Sequence, residues 1–121
     1  KFSQMNAERL LPEWTGRFDV VSSIWLFHEL PSEAIDNATA EIARVLKPSG
    51  KLLFMDSVQA EDTPERGDME SAFEHFRDVY SEPHFMNYQH MDLKAHFARF
   101  GLEVTSTSQW FATKLLTLQK R

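Results

Sequence analysis

The sequence contains no cysteine, which excludes disulfides, thiolate zinc sites and a thiol nucleophile. Glycine is scarce. The four glycines, at 16, 50, 67 and 101, never fall as Gly-x-Gly, so no phosphate-cradling loop can be read from them. No run reaches the roughly 18 apolar residues of a membrane helix, and no charged n-region with an apolar h-region opens the sequence. No membrane partner is expected, and the cytoplasm is the expected compartment. A basic stripe is lacking as well. Residues 56–92 hold ten acids against two bases, whereas residues 93–121 hold one acid against five bases. A middle third of that sign repels phosphate, so no nucleic-acid partner is expected. What is present is a globular composition. With 42% hydrophobic residues and ten Phe in 121 residues, one domain, or part of one, has enough apolar matter for a core.

The clearest unit is strand, crossover helix, strand. Phe18-Asp19-Val20-Val21-Ser22-Ser23-Ile24 is apolar and β-branched, with Gly16 before it and Pro31 beyond it. From Ser32 the period becomes helical. Ile35, Ala38, Ile42, Val45 and Leu46 form one stripe, Glu33 and Asp36 sit near the start, and Arg44 and Lys47 near the end. Pro48 is expected to stop that helix and Ser49-Gly50 to make the turn. Lys51-Leu52-Leu53-Phe54-Met55-Asp56 comes next, and its four consecutive apolar residues predict a strand buried on both faces, as in a parallel sheet. Further on, the pattern predicts a helix over Asp68 to Tyr80, an irregular aromatic stretch over 81–90, and a helix over Asp92 to Phe100 capped by Gly101. Two strands, over 102–108 and 111–119, are expected to form an antiparallel ribbon at the sheet edge.

Phe18-Asp19-Val20-Val21, then His28 with Pro31, then Arg44-Val45-Leu46-Lys47-Pro48-Ser49-Gly50 resemble the second half of class I S-adenosylmethionine-dependent methyltransferases. Ser49 stands where the family usually has Gly. Upstream, Asn6-Ala7-Glu8 with Leu11-Pro12 resembles the family's Asp-Ala segment, with Asn6 in place of Asp. Downstream, Asp92-Leu93, Phe97 and Phe100-Gly101-Leu102-Glu103 resemble its closing helix and strand. The resemblance implies an α/β fold, a partial Rossmann-like methyltransferase fold of parallel strands with crossover helices ending in an antiparallel hairpin. It also implies a leading strand with a Gly-rich turn and a second strand ending in an acid, neither of which is found here. Residues 1–121 are therefore expected to be the carboxy-terminal part of one such domain, bound to S-adenosylmethionine only in the intact protein. The isolated chain is expected to be inactive, and to form a homodimer or otherwise self-associate through the sheet edge at 18–24.

In open α/β sheets ligands bind beyond the carboxyl ends of the strands, here Ser22-Ser23-Ile24-Trp25 and Asp56-Ser57. The resemblance assigns Ser23 and Ile24 to the methionine part of the cofactor and Asn6 and Ala7 to its adenine side. Methyl transfer needs alignment and, for a hydroxyl or amine acceptor, a base. His28 directly follows the strand end and titrates near working pH, so it is the candidate base. Glu29 beside it is placed to orient it or to bind an amine. Tyr80, His84 and Tyr88 flank the irregular stretch and are the candidates for a small-molecule acceptor pocket. His28-Glu29 is no helical zinc motif, because Ser32 stands where a second His is needed and Pro31 interrupts the helix. His84, His90 and His96 have no compact ligand spacing, and no metal is expected. A non-catalytic module of the same fold, serving assembly or partner binding, is the alternative reading.

Overall fold

The structure, a computed structural model, describes residues 2–62, 75, 79 and 82–121. Strand β1 (Phe18–Ile24) and helix α1 (Ser32–Val45) begin where the residue pattern places them. The helix ends sooner than Pro48 predicts. Leu46 already pairs with Phe18, so β2 runs Leu46–Ser57. Lys47–Gly50 are an outward excursion inside this strand: the next pairs are Val20 with Lys51 through Ile24 with Met55. A Cβ on Gly50 would sit 2.9 Å from the Lys47 carbonyl oxygen and 3.2 Å from that of Asp19, so the chain passes there only as glycine. Ser49 adopts φ 62°, a left-handed conformation that glycine tolerates and serine resists. Replacing the exposed Ser49 with Gly should therefore stabilise the fold by about 0.5–1 kcal/mol, since relief of the left-handed strain exceeds the added unfolded-state entropy. The check is the urea midpoint, and an unchanged or lower midpoint contradicts the account.

A short helix, α2 (Phe85–Gln89), occupies part of the stretch expected to be irregular. It buries Phe85, Tyr88 and Gln89, a core face too short for periodicity to reveal. Helix α3 (Leu93–Arg99) comes after it. Asp92 Oδ1 accepts from the Ala95 amide at 2.9 Å, an ordinary N-cap, and Gly101 leaves the helix at φ 73°. Strands β3 (Leu102–Trp110) and β4 (Thr113–Lys120) form the expected hairpin. The helix expected over 68–80 lies outside the described residues, apart from His75 and Val79.

The sheet order is β1-β2-β4-β3, with β1 and β2 parallel and the other neighbours antiparallel. One face is the core. Leu52 and Phe54 stand opposite Leu118 and Leu116, and Ile35, Ile42, Tyr88, Leu93 and Phe97 close over them. The other face is open: Val20 is 51%, Ile24 59% and Leu53 39% exposed. The expectation that β2 is buried on both faces is thus corrected. Its burial alternates, because the described helices that close over the core, α1, α2 and α3, contribute to the Leu52 and Phe54 side. No helix among the described residues is long and apolar enough to cross a membrane.

The segment before β1 is strapped to α1. Arg44 donates to the carbonyls of Leu10 and Leu11 and to Glu41, and Glu41 accepts from the Leu10 amide. At the other end of α1, Asp36 pairs with Arg99 of α3 at 3.0 Å. These ties fasten one end of the crossover helix to the segment before β1 and the other to α3.

Candidate active site at the carboxyl ends of the parallel strands

Because β1 and β2 are parallel, their carboxyl ends share one edge of the sheet, and the segments leaving the two strands meet there. After Ile24 the chain turns at Trp25, at φ 50°, with its amide donating to the Met55 carbonyl. A bulky residue in that region marks a position held by its surroundings. The chain then folds into a single 3₁₀ turn, Phe27–Glu29. Phe27 is the anchor of that turn: it is fully buried, with its ring edge-on to Phe54 at 5.0 Å. The anchor delivers His28 to Asp56 at the end of β2.

Asp56 has no exposed surface. Its Oδ2 accepts from the Phe27 amide at 2.8 Å, and its Oδ1 accepts from the Ser57 amide at 2.7 Å and meets His28 Nδ1 at 2.6 Å. A carboxylate has only lone pairs to offer, so His28 carries its proton on Nδ1 and turns the lone pair of Nε2 away from Asp56. Burial pushes the His28 imidazole down, but the hydrogen bond and charge of Asp56, joined by Glu82 and Glu29, outweigh it and raise its pKa above the usual value. Three aromatic rings stand around the imidazole: Trp25 at 5.5 Å, Phe85 at 6.0 Å and Tyr88 at 6.4 Å. Glu29 Oε1 lies 3.6 Å from Nε2 and is well exposed.

The second part of the site is a cleft of about 360 Å³ beside β1. Ala7, Val21, Ser23, Ile24 and Leu26 line it together with Ala38 of α1. Ser23 is buried, and its Oγ has no hydrogen-bond partner among the described residues. A wider hollow of about 470 Å³ beside Arg44 and Glu41 is bounded by groups already paired with one another.

The structure thus brings Ala7, Ser23 and Ile24 to one cleft, and His28 and Glu29 to one strand-end turn. Asn6 does not line the cleft, and its Oδ1 is taken by the Glu8 amide at 2.9 Å. Tyr80 lies outside the described residues, and His84 sits half-buried just before α2. Tyr88 differs most from expectation. It is fully buried and donates its hydroxyl to the Ser57 carbonyl at 2.6 Å, so it supports the site from within the core. Burial, then Asp56 and Asp62, push that hydroxyl far above the ordinary phenol range. His96 is also committed: its Nε2 lies 2.8 Å from Thr39 Oγ1, which itself donates to the Ile35 carbonyl. Sequence reasoning singles out the Asp56-Ser57 strand end but not Asp56 as the partner of His28, nor Trp25 and Glu82 as its neighbours. The one available signal is an acid ending an apolar strand.

Residues 1–54 match the family model described as a methyltransferase domain. No curated protein matches the chain. Among solved structures, TnmH matches with a TM-score of 0.78 at 16% identity, over 100% of this chain and 35% of that one. A SAM-dependent methyltransferase from Methanosarcina mazei matches with a TM-score of 0.70 at 16% identity, over 99% of this chain and 66% of that one. An O-methyltransferase family protein from Burkholderia thailandensis matches with a TM-score of 0.58 at 19% identity, over 84% of this chain and 30% of that one. The chain therefore spans about a third to two thirds of the length of these structures, and its α/β fold is theirs.

Proposed function

We propose that this chain, which carries a methyltransferase domain match over residues 1–54 in the fold of SAM-dependent methyltransferases, forms the acceptor-side part of a domain that methylates a small molecule. The observation that carries this is the Asp56–His28 pair at the shared strand end, with Nδ1 held by Asp56 at 2.6 Å and Nε2 making no hydrogen bond among the described residues. S-adenosylmethionine would supply an activated methyl on a sulfonium leaving group. The cleft suits such a ligand: apolar walls from Ala7, Ile24 and Leu26, and a buried Ser23 hydroxyl with an open hydrogen-bonding valence. Asn6 takes no part in this cleft, since its side chain and its carbonyl are both used locally.

In this reading His28 Nε2 takes the proton of an acceptor hydroxyl or amine, and Asp56 holds the ring so that Nε2 faces outward. Glu29, exposed beside it, attracts an amine-bearing acceptor. His84, half-buried just before α2, is the described candidate for the acceptor side, and Tyr88 supports the strand end through its bond to the Ser57 carbonyl. His28→Gln in the intact methyltransferase should lower kcat by about 10²–10³ while leaving the KM for S-adenosylmethionine within about twofold, as expected for loss of a base. An unchanged kcat removes His28 from the chemistry. Calorimetry with S-adenosylhomocysteine on the 121-residue chain should show weak binding at most, because the chain spans only about a third to two thirds of the length of the structures it matches; tight binding refutes that expectation.

A second reading has one observation in its favour, the exposed apolar row of Val20, Ile24 and Leu53. On it, the chain is a non-catalytic module that self-associates through β1, and no variant of His28 alters any measured turnover.

A further inference from the structure

We propose that His28 Nε2, Glu29 and Glu82 bind a divalent transition-metal cation, Zn²⁺ being the best match, and that this cation competes with the acceptor proton for Nε2. One ligand atom from each residue lies within 4.8 Å of the other two. The residues come from two separate elements: the 3₁₀ turn after β1, and the turn leading into α2, where the Glu82 carbonyl accepts from the Phe85 amide.

The His28 side chain is 7% exposed, and its Nε2 makes no hydrogen bond among the described residues. Its Nδ1 is held by the fully buried Asp56 at 2.6 Å. A carboxylate behind a histidine that presents its other nitrogen is the arrangement that orients imidazole toward a metal. The donor separation also suits one. Bonds of about 2.0–2.2 Å in a tetrahedron put neighbouring donors about 3.4 Å apart, and Nε2 stands 3.6 Å from Glu29 Oε1. A carboxylate oxygen of Glu82, within 4.8 Å of both, is the third donor. Three carboxyl side chains, those of Asp56, Glu29 and Glu82, stand around one imidazole. With no cysteine in the chain, the donors on offer are imidazole and carboxylate oxygen, a set that suits Zn²⁺, Co²⁺ or Mn²⁺ better than Mg²⁺. Three protein donors leave a position for water or for an acceptor oxygen.

Binding of the cation can be read without any turnover, whereas its competition with the acceptor proton rests on the proposed function. Titrating the 121-residue chain with Co²⁺ should produce visible absorption bands saturating at one equivalent, which Zn²⁺ then abolishes by displacement. Glu82→Gln should weaken Zn²⁺ at least tenfold by calorimetry, and His28→Gln should remove the saturating Co²⁺ bands. Glu103→Gln, whose partner is Arg121, should leave both unchanged. Because Glu82 is a partly exposed side chain, its variant keeps the fold, and an unchanged melting curve verifies this. Equal affinity in the wild-type, Glu82 and His28 proteins places the ion on other histidines and overturns the site, as does an absence of saturable binding. In the intact enzyme Zn²⁺ should inhibit and a chelator should restore turnover. An intact protein that binds Zn²⁺ at this site yet shows no turnover with or without a chelator would sink the methyltransferase reading while leaving the cation site standing.

Discussion

Replacing Asp56 with alanine is expected to lower stability by about 3–5 kcal/mol, because it strands three buried or partly buried N–H donors at once. The Phe27 and Ser57 amides and His28 Nδ1 all converge on this carboxylate. Each donor left unmatched costs about 1–3 kcal/mol, and Tyr88, Phe27 and Phe54 leave little room for water to replace the lost oxygens. Asp56→Asn should cost less, since Asn keeps one acceptor oxygen but turns an NH₂ toward a donor. Urea unfolding of the three proteins tests this ordering. A loss below about 1 kcal/mol for Asp56→Ala would mean that solvent reaches the pocket and that His28 is not held as described. The effect on His28 should appear in the nitrogen NMR spectrum of the folded Asp56→Ala protein, as an imidazole resonance that no longer reports a fixed Nδ1 proton.

The elements that can be read from the residues are those whose signal is local. β1 is legible to the residue because a β-branched run lies between Gly16 and the turn after Ile24. Asp92 and Gly101 announce the two ends of α3 by capping chemistry alone. The end of α1 is misplaced by the residue pattern because Pro48 looks like the stop, whereas pairing with Phe18 has already drawn Leu46 into the sheet. A long-range contact overrides a local rule there. The same distinction divides the site. His28 stands out as a titratable group after a strand. Its partner is 28 residues away in sequence, and the pairing exists only because two parallel strands end together. Tyr88 misleads for the opposite reason. An aromatic hydroxyl in a polar stretch suggests a pocket, but Gln59, Ser57 and Met91 form a buried polar layer around it that no spacing rule reveals.

Lysine at both Val20 and Ile24 should convert a self-associating chain into a monomer. The two edges of the sheet make the case. β3 is a poor template: its residues from Thr105 to Gln109 are polar and exposed, and a register shift between Val104 and Ser106 distorts its pairing. Such features discourage strand addition. β1 is less protected, since its one register shift lies at its start, between Phe18 and Val20. Between Val20 and Ile24 it carries no charge and no proline, its outer edge pairs with no strand among the described residues, and two of its apolar side chains are more than half exposed. Asp19 is the nearest charge, and Lys47 already neutralises it at 2.9 Å. Light scattering should therefore show a concentration-dependent mass of at least two chains for the wild-type protein, falling to one for the double variant with an unchanged far-ultraviolet circular dichroism spectrum. The hairpin tip is the natural control, since Trp110 and Phe111 are 84% and 93% exposed. Polar substitutions there should leave the assembly intact if β1 is its seat. If the tip substitutions dissolve the assembly and the β1 lysines do not, the contact is hydrophobic docking at the tip. A wild-type protein that remains monomeric at every concentration removes the strand-pairing argument altogether.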